Sequence, residues 1–209
     1  MADRRDIDWA KVPYRGLTDR SRPEPVELAA VVADLPAGLQ NRLAERVDRL
    51  GYVNGFLAVG LHQPGAVLAL LEMTEQLKAA IDPGHVLIVA LATHHALGNE
   101  YELAQYLDVA RNHGMSEAWI HAAQGRAVGG LNPTEEAVRR LTLTVVFASP
   151  PRPALTAAGA HLDDRALVAV VHLAARFVVT SRISHALSLR PMTGHSPTSD
   201  DNAQKATDA

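Results

Sequence analysis

Two polar side chains near the middle of the chain, Glu102 and Tyr106, have the types and the spacing of an acid–base pair. Residues four apart in a helix share one face. A carboxyl and a phenol side by side in a partly apolar cleft can accept and donate protons, and burial raises the pKa of the carboxyl. The alternative is an ordinary helix, whose positive N-terminus favours acidic residues. Tyr101 and Gln105 form a second such pair, about 100° around the same helix.

Two adjacent histidines, His94 and His95, come shortly before this pair. Neighbouring helical positions point about 100° apart, so the two imidazoles cannot easily ligate one ion. The chain has no His-x-x-x-His or His-Glu-x-x-His motif of the kind that holds zinc on a helix. We therefore predict no metal, and a metal-dependent hydrolase that uses these histidines is the weaker hypothesis.

A single arginine, Arg176, lies in a long apolar segment among alanine, valine and phenylalanine. It needs a partner, because burying an unpaired charge is costly. That partner is either a substrate carboxylate or an internal Asp or Glu, and the internal ion pair is the commoner arrangement. His172 lies four residues before Arg176, and Arg182 and His185 lie three apart further along the same predicted helix.

The composition excludes several classes of protein. The 209 residues contain no cysteine, which excludes disulfides, thiolate metal sites and thiol nucleophiles. The formal net charge of -3 gives no general attraction to nucleic acid or to an anionic membrane. The N-terminus lacks the apolar core of a secretory signal, and His172 and Arg176 interrupt the longest apolar stretch. We expect a soluble, cytoplasmic protein.

Alanine and leucine recur at helical spacing through most of the chain, and alternating β-branched residues are rare. The apolar run 86–92 would also suit a buried strand, but no Gly-rich phosphate loop follows it and no β-α alternation surrounds it. We therefore predict an all-α fold. Gly and Pro delimit the predicted helices, which cover residues 25–33, 39–50, 54–61, 65–80, 85–97, 98–113, 116–124, 133–148, 154–160 and 163–187.

The two ends of the chain differ from this helical body. Residues 1–22 are charged and show no long periodicity, so we expect an arm that lies on the body or on a neighbouring subunit. Residues 191–209 are small and polar, a composition that cannot offset the entropy of ordering, and we expect a flexible tail. Residues 23–190 then form a single all-helical domain.

The segment 85–123, HVLIVALATHHALGNEYELAQYLDVARNHGMSEAWIHAA, resembles the core of the carboxymuconolactone decarboxylase family, which has the alkylhydroperoxidase D-like fold. Residues 98–106 match the place where that family has a Cys-Glu-Tyr-Cys or Glu-Tyr-Glu type of motif. Residues 51–64 and 174–187 resemble the helices before and after, so the resemblance covers roughly residues 35–190. It implies an alkylhydroperoxidase D-like helical bundle.

The chain departs from the family at its functional positions. Asn99 and Glu102 stand at the two Cys positions, so the peroxidase chemistry of the Cys-bearing branch is excluded. Tyr106 stands where the family has a His, Leu87 where a Glu is usual, and His185 where an Asn is common. The chain is therefore a divergent, Cys-less relative that runs a different reaction or none.

The resemblance implies a function through the decarboxylase branch, which has no bound cofactor. Such an enzyme needs a cation for a carboxylate, a donor that polarises a carbonyl, and an acid that protonates carbon. Arg176, Tyr106, and Glu102 or His94 could fill these roles in that order. Further candidate substrate contacts are Tyr101, His95 and His185.

We therefore predict a cofactor-independent lyase or isomerase for a small oxygenated cyclic carboxylate or lactone. The alternative is a non-catalytic member that binds a small molecule or serves as a structural oligomer. Helices that are apolar on more than one face favour burial between subunits. The family implies a homo-oligomer, a trimer or a hexamer. We expect no nucleic-acid or membrane partner.

Overall fold

The computed structural model describes residues 7–191, and within this range the chain is almost entirely helical. Two short 3-10 helices, Trp9–Lys11 and Val32–Asp34, and two two-residue strands, β1 (Tyr14–Arg15) and β2 (Val53–Asn54), accompany the α-helices. The α-helices are α1 (Leu28–Val31), α2 (Ala37–Leu50), α3 (Gly55–Gly60), α4 (Pro64–Lys78), α5 (Pro83–Ala96), α6 (Glu100–Asn112), α7 (Glu117–Ala123), α8 (Pro133–Val146), α9 (Arg152–Gly159) and α10 (Asp164–Ala186).

The predicted all-α fold is confirmed, and most helix boundaries fall within a few residues of the predicted ones. The local reason is capping. Asn99, Ser116 and Asp163 each accept a backbone N–H of the first turn that follows them. Asn132 and Glu135 form a complete capping box at the start of α8. The apolar run that would also suit a strand lies inside α5.

The larger hydrophobic core, which we call the C-terminal core, lies around α5. This helix is buried on nearly all sides against α6, α8 and α10. The largest wholly buried side chains of this core, each 1% exposed or less, are Ile88, Leu91, Ile120, Leu141, Leu173 and Phe177. Because α5 has no solvent face, its sequence carries no polar stripe.

A second core, which we call the N-terminal core, packs the first four helices together. Its most deeply buried leucines come from α1, α2 and α3. They are Leu28, Leu39, Leu43 and Leu57, each at most 3% exposed. Tyr101 belongs to this N-terminal core, although its helix α6 also contributes side chains to the C-terminal core. Helix α6 therefore joins the two cores.

The segment before α1 adds the only departure from a helical architecture within residues 7–191. Strand β1 pairs in parallel with β2, with Tyr14 opposite Val53 and Arg15 opposite Asn54. Gly16 follows with a φ of +80°, and a Cβ there would lie 2.5 Å from Cε2 of Tyr101. Glycine at this position lets the chain turn and pack directly on the α6 tyrosine.

The two predicted ends are only partly within the described range. Trp9, Val12, Tyr14 and Leu17 pack against the N-terminal core, so residues 7–22 lie on the body of their own chain. Residues 1–6 of the predicted arm and residues 192–209 of the predicted tail lie outside the described residues.

Helix α10 is long and apolar enough, by composition alone, to match a membrane span. It is also a core helix, because Leu173, Ala174 and Phe177 are wholly buried against α5 and α8. Its outward face exposes Val168 and Val179, at 50% and 46%. An exposed apolar face of this kind would suit a contact between subunits. The predicted trimer or hexamer stays a prediction.

Candidate active site

A cavity of about 430 Å³ lies between the two cores, and side chains from α2, α3, α4, α5, α6 and α10 line it. Glu102 and Tyr106 line it from α6, and Arg176 and Thr180 line it from α10. The apolar side chains of its wall are Phe56, Leu57, Leu71, Val86, Leu87 and Val109. The acid, the phenol and the guanidinium named from the sequence therefore share one cavity.

Glu102 is held by the turn that precedes α6. Its backbone N–H donates to Oδ1 of Asn99 at 3.0 Å, and Nδ2 of Asn99 donates to the carbonyl of Ser181 at 3.3 Å. The Ser184 hydroxyl donates to Oε1 of Glu102 at 3.2 Å. Burial raises the pKa of Glu102, while Arg176, the Ser184 hydrogen bond and Arg46 act in the opposite direction. A carboxyl of this kind keeps its proton to a higher pH than an exposed carboxyl does.

Tyr106 is fixed by aromatic packing. Its ring stacks on His94 with centroids 5.4 Å apart and an interplanar angle of 21°. Phe177 meets it edge-on, with centroids 5.3 Å apart at 72°. Burial raises the pKa of the Tyr106 phenol, so the hydroxyl keeps its proton. That hydroxyl has no hydrogen-bond partner among residues 7–191 and is free to donate to a ligand in the cavity.

His94 lies behind Tyr106 and is not part of the cavity lining. It is wholly buried, and its Nδ1 is 2.8 Å from the Ser181 hydroxyl. Burial, helped by Arg176, lowers the pKa of His94 to about 3, so the imidazole is neutral at physiological pH. The Nε2 atom is buried without a partner within the described range. A neutral ring in this position supports Tyr106 and does not itself reach the cavity.

Arg176 has no carboxylate oxygen within 4.0 Å among residues 7–191. One guanidinium nitrogen, Nη1, donates to the Thr180 hydroxyl at 3.4 Å, while the buried Nε has no partner. The commoner arrangement, an internal ion pair, is therefore not present in the described part of the chain. An unpaired guanidinium that lines a cavity is suited to bind an anion.

Three other candidate residues lie outside the cavity lining. The hydroxyl of Tyr101 accepts the backbone N–H of Phe56 at 3.2 Å, in the N-terminal core. His95 and His185 are exposed, and Nε2 of His185 is 3.3 Å from the carbonyl of Gly98. His95 and His185 lie on solvent-facing sides of α5 and α10, whereas the Tyr101 side chain packs into the N-terminal core.

Three basic side chains that we did not predict also line the cavity. They are Arg46 and Arg49 from α2 and Lys78 from α4. Lys78 lies 3.5 Å from Glu75, which lines the same cavity. Burial, then the neighbouring Arg49, lowers the pKa of Arg46, which remains charged at neutral pH as arginine does in proteins. One sequence signal was available: Arg46 comes three residues after Leu43, on the buried face of α2.

The described residues hold no group of three or more His, Asp or Glu side chains that could bind a metal ion. Among the polar groups of the cavity wall are the Glu102 carboxyl, whose pKa is raised, the neutral Tyr106 phenol, and guanidinium groups that have no ion-pair partner among residues 7–191. Such a set can bind an anion and move a proton.

No protein-family model matches the sequence, and no curated protein is significantly similar to it. Solved structures do match. A peroxidase-related protein from Ralstonia eutropha, described as an alkylhydroperoxidase AhpD core, has a TM-score of 0.70 at 20% identity, over 84% of this chain and 94% of that one. The chain has the alkylhydroperoxidase D-like fold.

Two further structures with this alkylhydroperoxidase D-like fold are similar over most of their length. A peroxidase-related protein from Silicibacter has a TM-score of 0.68 at 16% identity, covering 85% of this chain and 96% of that one. A variant of the debrominase Bmp8, in complex with 2,3,4-tribromopyrrole, has a TM-score of 0.68 at 15% identity, covering 84% and 92%.

Proposed function

We propose that the protein is an enzyme that acts on a small oxygenated cyclic carboxylate or lactone by acid–base chemistry. The reaction is that of a cofactor-independent lyase of the decarboxylase type, or of an isomerase. The observation that carries the proposal is that Glu102, Tyr106 and an unpaired Arg176 line one cavity of about 430 Å³. That volume lies in the range of small-molecule sites.

Arg176 binds the carboxylate of the substrate. A planar guanidinium forms two parallel hydrogen bonds to a carboxylate, which orients the bound molecule as well as attracting it. The apolar wall formed by Phe56, Leu57 and Leu87 contacts the ring of the substrate. The debrominase neighbour, solved with a bound bromopyrrole, gives a precedent for a small cyclic ligand in a protein of this fold.

Tyr106 donates a hydrogen bond to the carbonyl oxygen of the substrate. When the bond at the neighbouring carbon breaks, its electron pair moves into the unsaturated carbonyl and negative charge develops on this oxygen. A neutral donor already fixed by His94 and Phe177 stabilises that charge without reorganising. His94 is here a positioning residue for the phenol.

Glu102 supplies the proton. In a decarboxylation the bond between carbon and the carboxylate breaks, carbon dioxide leaves, and the carbon takes the proton of the Glu102 carboxyl, which solvent then replaces. The raised pKa of Glu102 favours the protonated form that this step needs. In an isomerisation, the ionised carboxylate takes a proton from one carbon and returns it to another.

The test is a screen of unsaturated lactone acids and cyclic keto acids, followed by proton NMR and by release of carbon dioxide. Glu102→Gln and Tyr106→Phe are expected to lower turnover of any converted compound by about 100-fold or more, the usual range for a lost acid–base group. Glu100→Gln is the matched control, since Glu100 is an exposed carboxylate on the same helix.

Two outcomes would contradict the proposal. Unchanged turnover in both cavity variants would mean that the reaction takes place elsewhere. Binding of panel compounds, lost in the same variants but never followed by conversion, would instead favour the non-catalytic small-molecule binder.

A further inference from the structure

Arg46 lies where the main cavity meets a second pocket. This second pocket, of about 320 Å³, lies between α2 and α4. Arg46, Arg49, Leu57, Leu71 and Glu75 line both spaces. The two spaces therefore adjoin along a common wall, and a guanidinium stands in that wall.

The Arg46 guanidinium has no ion-pair partner among residues 7–191, although acidic residues are near it in the sequence and in space. Glu45 and Glu75 line the second pocket without pairing with it, and Glu75 pairs with Lys78 instead. By contrast, Arg139 on α8 binds both oxygens of Glu136 at 2.8 Å. A partly buried guanidinium without a partner is costly to the fold, which suggests that it is kept for a ligand.

The charges of the main cavity lead to the same conclusion. Its lining has four cations, Arg46, Arg49, Lys78 and Arg176, and two acidic residues. Once Lys78 is paired with Glu75, three guanidinium groups face the single carboxyl of Glu102. One monoanionic ligand bound at Arg176 would leave Arg46 without a counter-charge.

We infer that Arg46 is a second anion-binding residue, and that the ligand is an elongated small dianion held by Arg176 at one end and by Arg46 at the other. The inference rests on the proposed function, because it takes Arg176 as the carboxylate anchor of the reacting end. The group at Arg46 is an anionic oxygen group, a carboxylate or a phosphoryl group, since a guanidinium binds both in the same planar way. Its contacts, remote from the reacting carbon, position the reacting end.

The test compares the affinity of dianions with that of matched monoanions by titration calorimetry. Isophthalate is compared with its monomethyl ester, and 3-phosphonobenzoate with benzoate. We expect the dianions to bind about tenfold tighter or more, as a charge-assisted contact provides. Comparing isophthalate with 3-phosphonobenzoate shows which anionic oxygen group the Arg46 end prefers.

Substitutions of Arg46 test whether the tighter binding of dianions depends on this residue. Arg46→Met is expected to abolish the advantage of the dianions and to change monoanion affinity by less than about twofold, while Arg46→Lys retains part of the advantage because it keeps the charge. Arg182→Met is the matched control, since Arg182 is exposed on α10 outside both linings. Circular dichroism verifies that each variant is folded.

Equal binding of dianions and monoanions, absence of dianion binding, or a dianion preference that survives in Arg46→Met would overturn the inference. The proposed function is contradicted by a different result. If Glu102→Gln and Tyr106→Phe both leave turnover unchanged, the proposed function is wrong, whether or not the protein prefers dianions. Loss of the dianion preference in Arg46→Met, with turnover independent of Glu102, would support the binding role alone.

Discussion

The polar side chains of the cavity and those of the surrounding helices use their hydrogen-bonding groups differently. On α6, the Tyr101 hydroxyl accepts the backbone N–H of Phe56 within the N-terminal core. Five residues later, the Tyr106 hydroxyl faces the cavity with no partner in the described range. Arginines repeat the contrast, because Arg139 forms two hydrogen bonds to Glu136, whereas the side chain of Arg176 donates one long hydrogen bond, to Thr180, within residues 7–191.

Whether a polar side chain already has a hydrogen-bond partner therefore distinguishes groups that stabilise the fold from groups that are available to a ligand. A buried polar group that is already satisfied stabilises the fold, and its loss leaves a partner unsatisfied. A group without a partner contributes little to the fold and is available to a ligand. The comparison therefore predicts opposite effects of the same substitution in the two regions, on turnover and on stability.

The largest expected effect is on turnover, and it distinguishes replacement of Tyr106 from replacement of Tyr101. Tyr106→Phe is expected to lower turnover by about 100-fold or more while changing the free energy of unfolding by less than about 1 kcal/mol. Tyr101→Phe is expected to leave turnover within about twofold while destabilising the protein by roughly 1–3 kcal/mol, because the Phe56 N–H loses its acceptor. Steady-state rates and urea denaturation measure both. The reverse pattern would mean that the structural and functional roles of the two tyrosines are exchanged.

A second prediction concerns His94, which is neutral in the folded chain. Its pKa is lowered from 6.5 to about 3, so acid protonates the unfolded chain first, and stability falls as the pH drops below 6.5. From pH 7 to pH 5 this group alone contributes a loss of about 2 kcal/mol. His94→Gln is expected to flatten the dependence of unfolding free energy on pH over this range. An unchanged slope would contradict the neutral, buried state.

Glu102 is expected to act in the opposite direction. Because its pKa is raised from 4.5, its contribution to stability is complete below pH 4.5 and is lost as the pH rises through the folded-state pKa. Glu102→Gln, which resembles the protonated form, is therefore expected to be relatively more stable than the parent chain at neutral pH than at pH 4. The same denaturation series measures this, with Glu100→Gln as the control.

The smallest expected effect is on the free energy of unfolding, when a paired and an unpaired arginine are each replaced. Arg139→Met is expected to cost roughly 0.5–1 kcal/mol, since it removes a partly exposed pair that lowers the pKa of Glu136 to about 2. Arg176→Met is expected to leave stability unchanged or slightly higher, because it removes an unpaired charge from a half-buried position. Urea denaturation at neutral pH tests the pair. A large loss in Arg176→Met would indicate a structural role instead.

Much of the candidate site could be predicted from local spacing. The four-residue step from Glu102 to Tyr106 determines their common face once α6 is a helix, and Asn99 is a cap that starts this helix. The position of Arg176 within an apolar run indicated a buried charge that needed a partner. Each of these inferences involves residues within one helix or next to it.

Contacts between distant segments could not be predicted in this way. Nothing in the residues around Arg46 indicates that α2 packs beside α6 and α10 at the cavity. The pairing of β1 with β2 joins segments almost forty residues apart, and two-residue strands carry no alternation that a sequence could show. Whether His95 and His185 reach a cavity depends on how their helices are rotated in the assembled fold.

The amino-acid sequence by itself determined the helices, their caps, the absence of thiol chemistry and the shared face of Glu102 and Tyr106, because these depend on composition and on residues within one or two helical turns. Only the tertiary structure decided which polar groups remain without partners, since satisfaction of a hydrogen-bonding group depends on neighbours from other helices. That is why Tyr101 and Tyr106, five residues apart on one helix, have different environments.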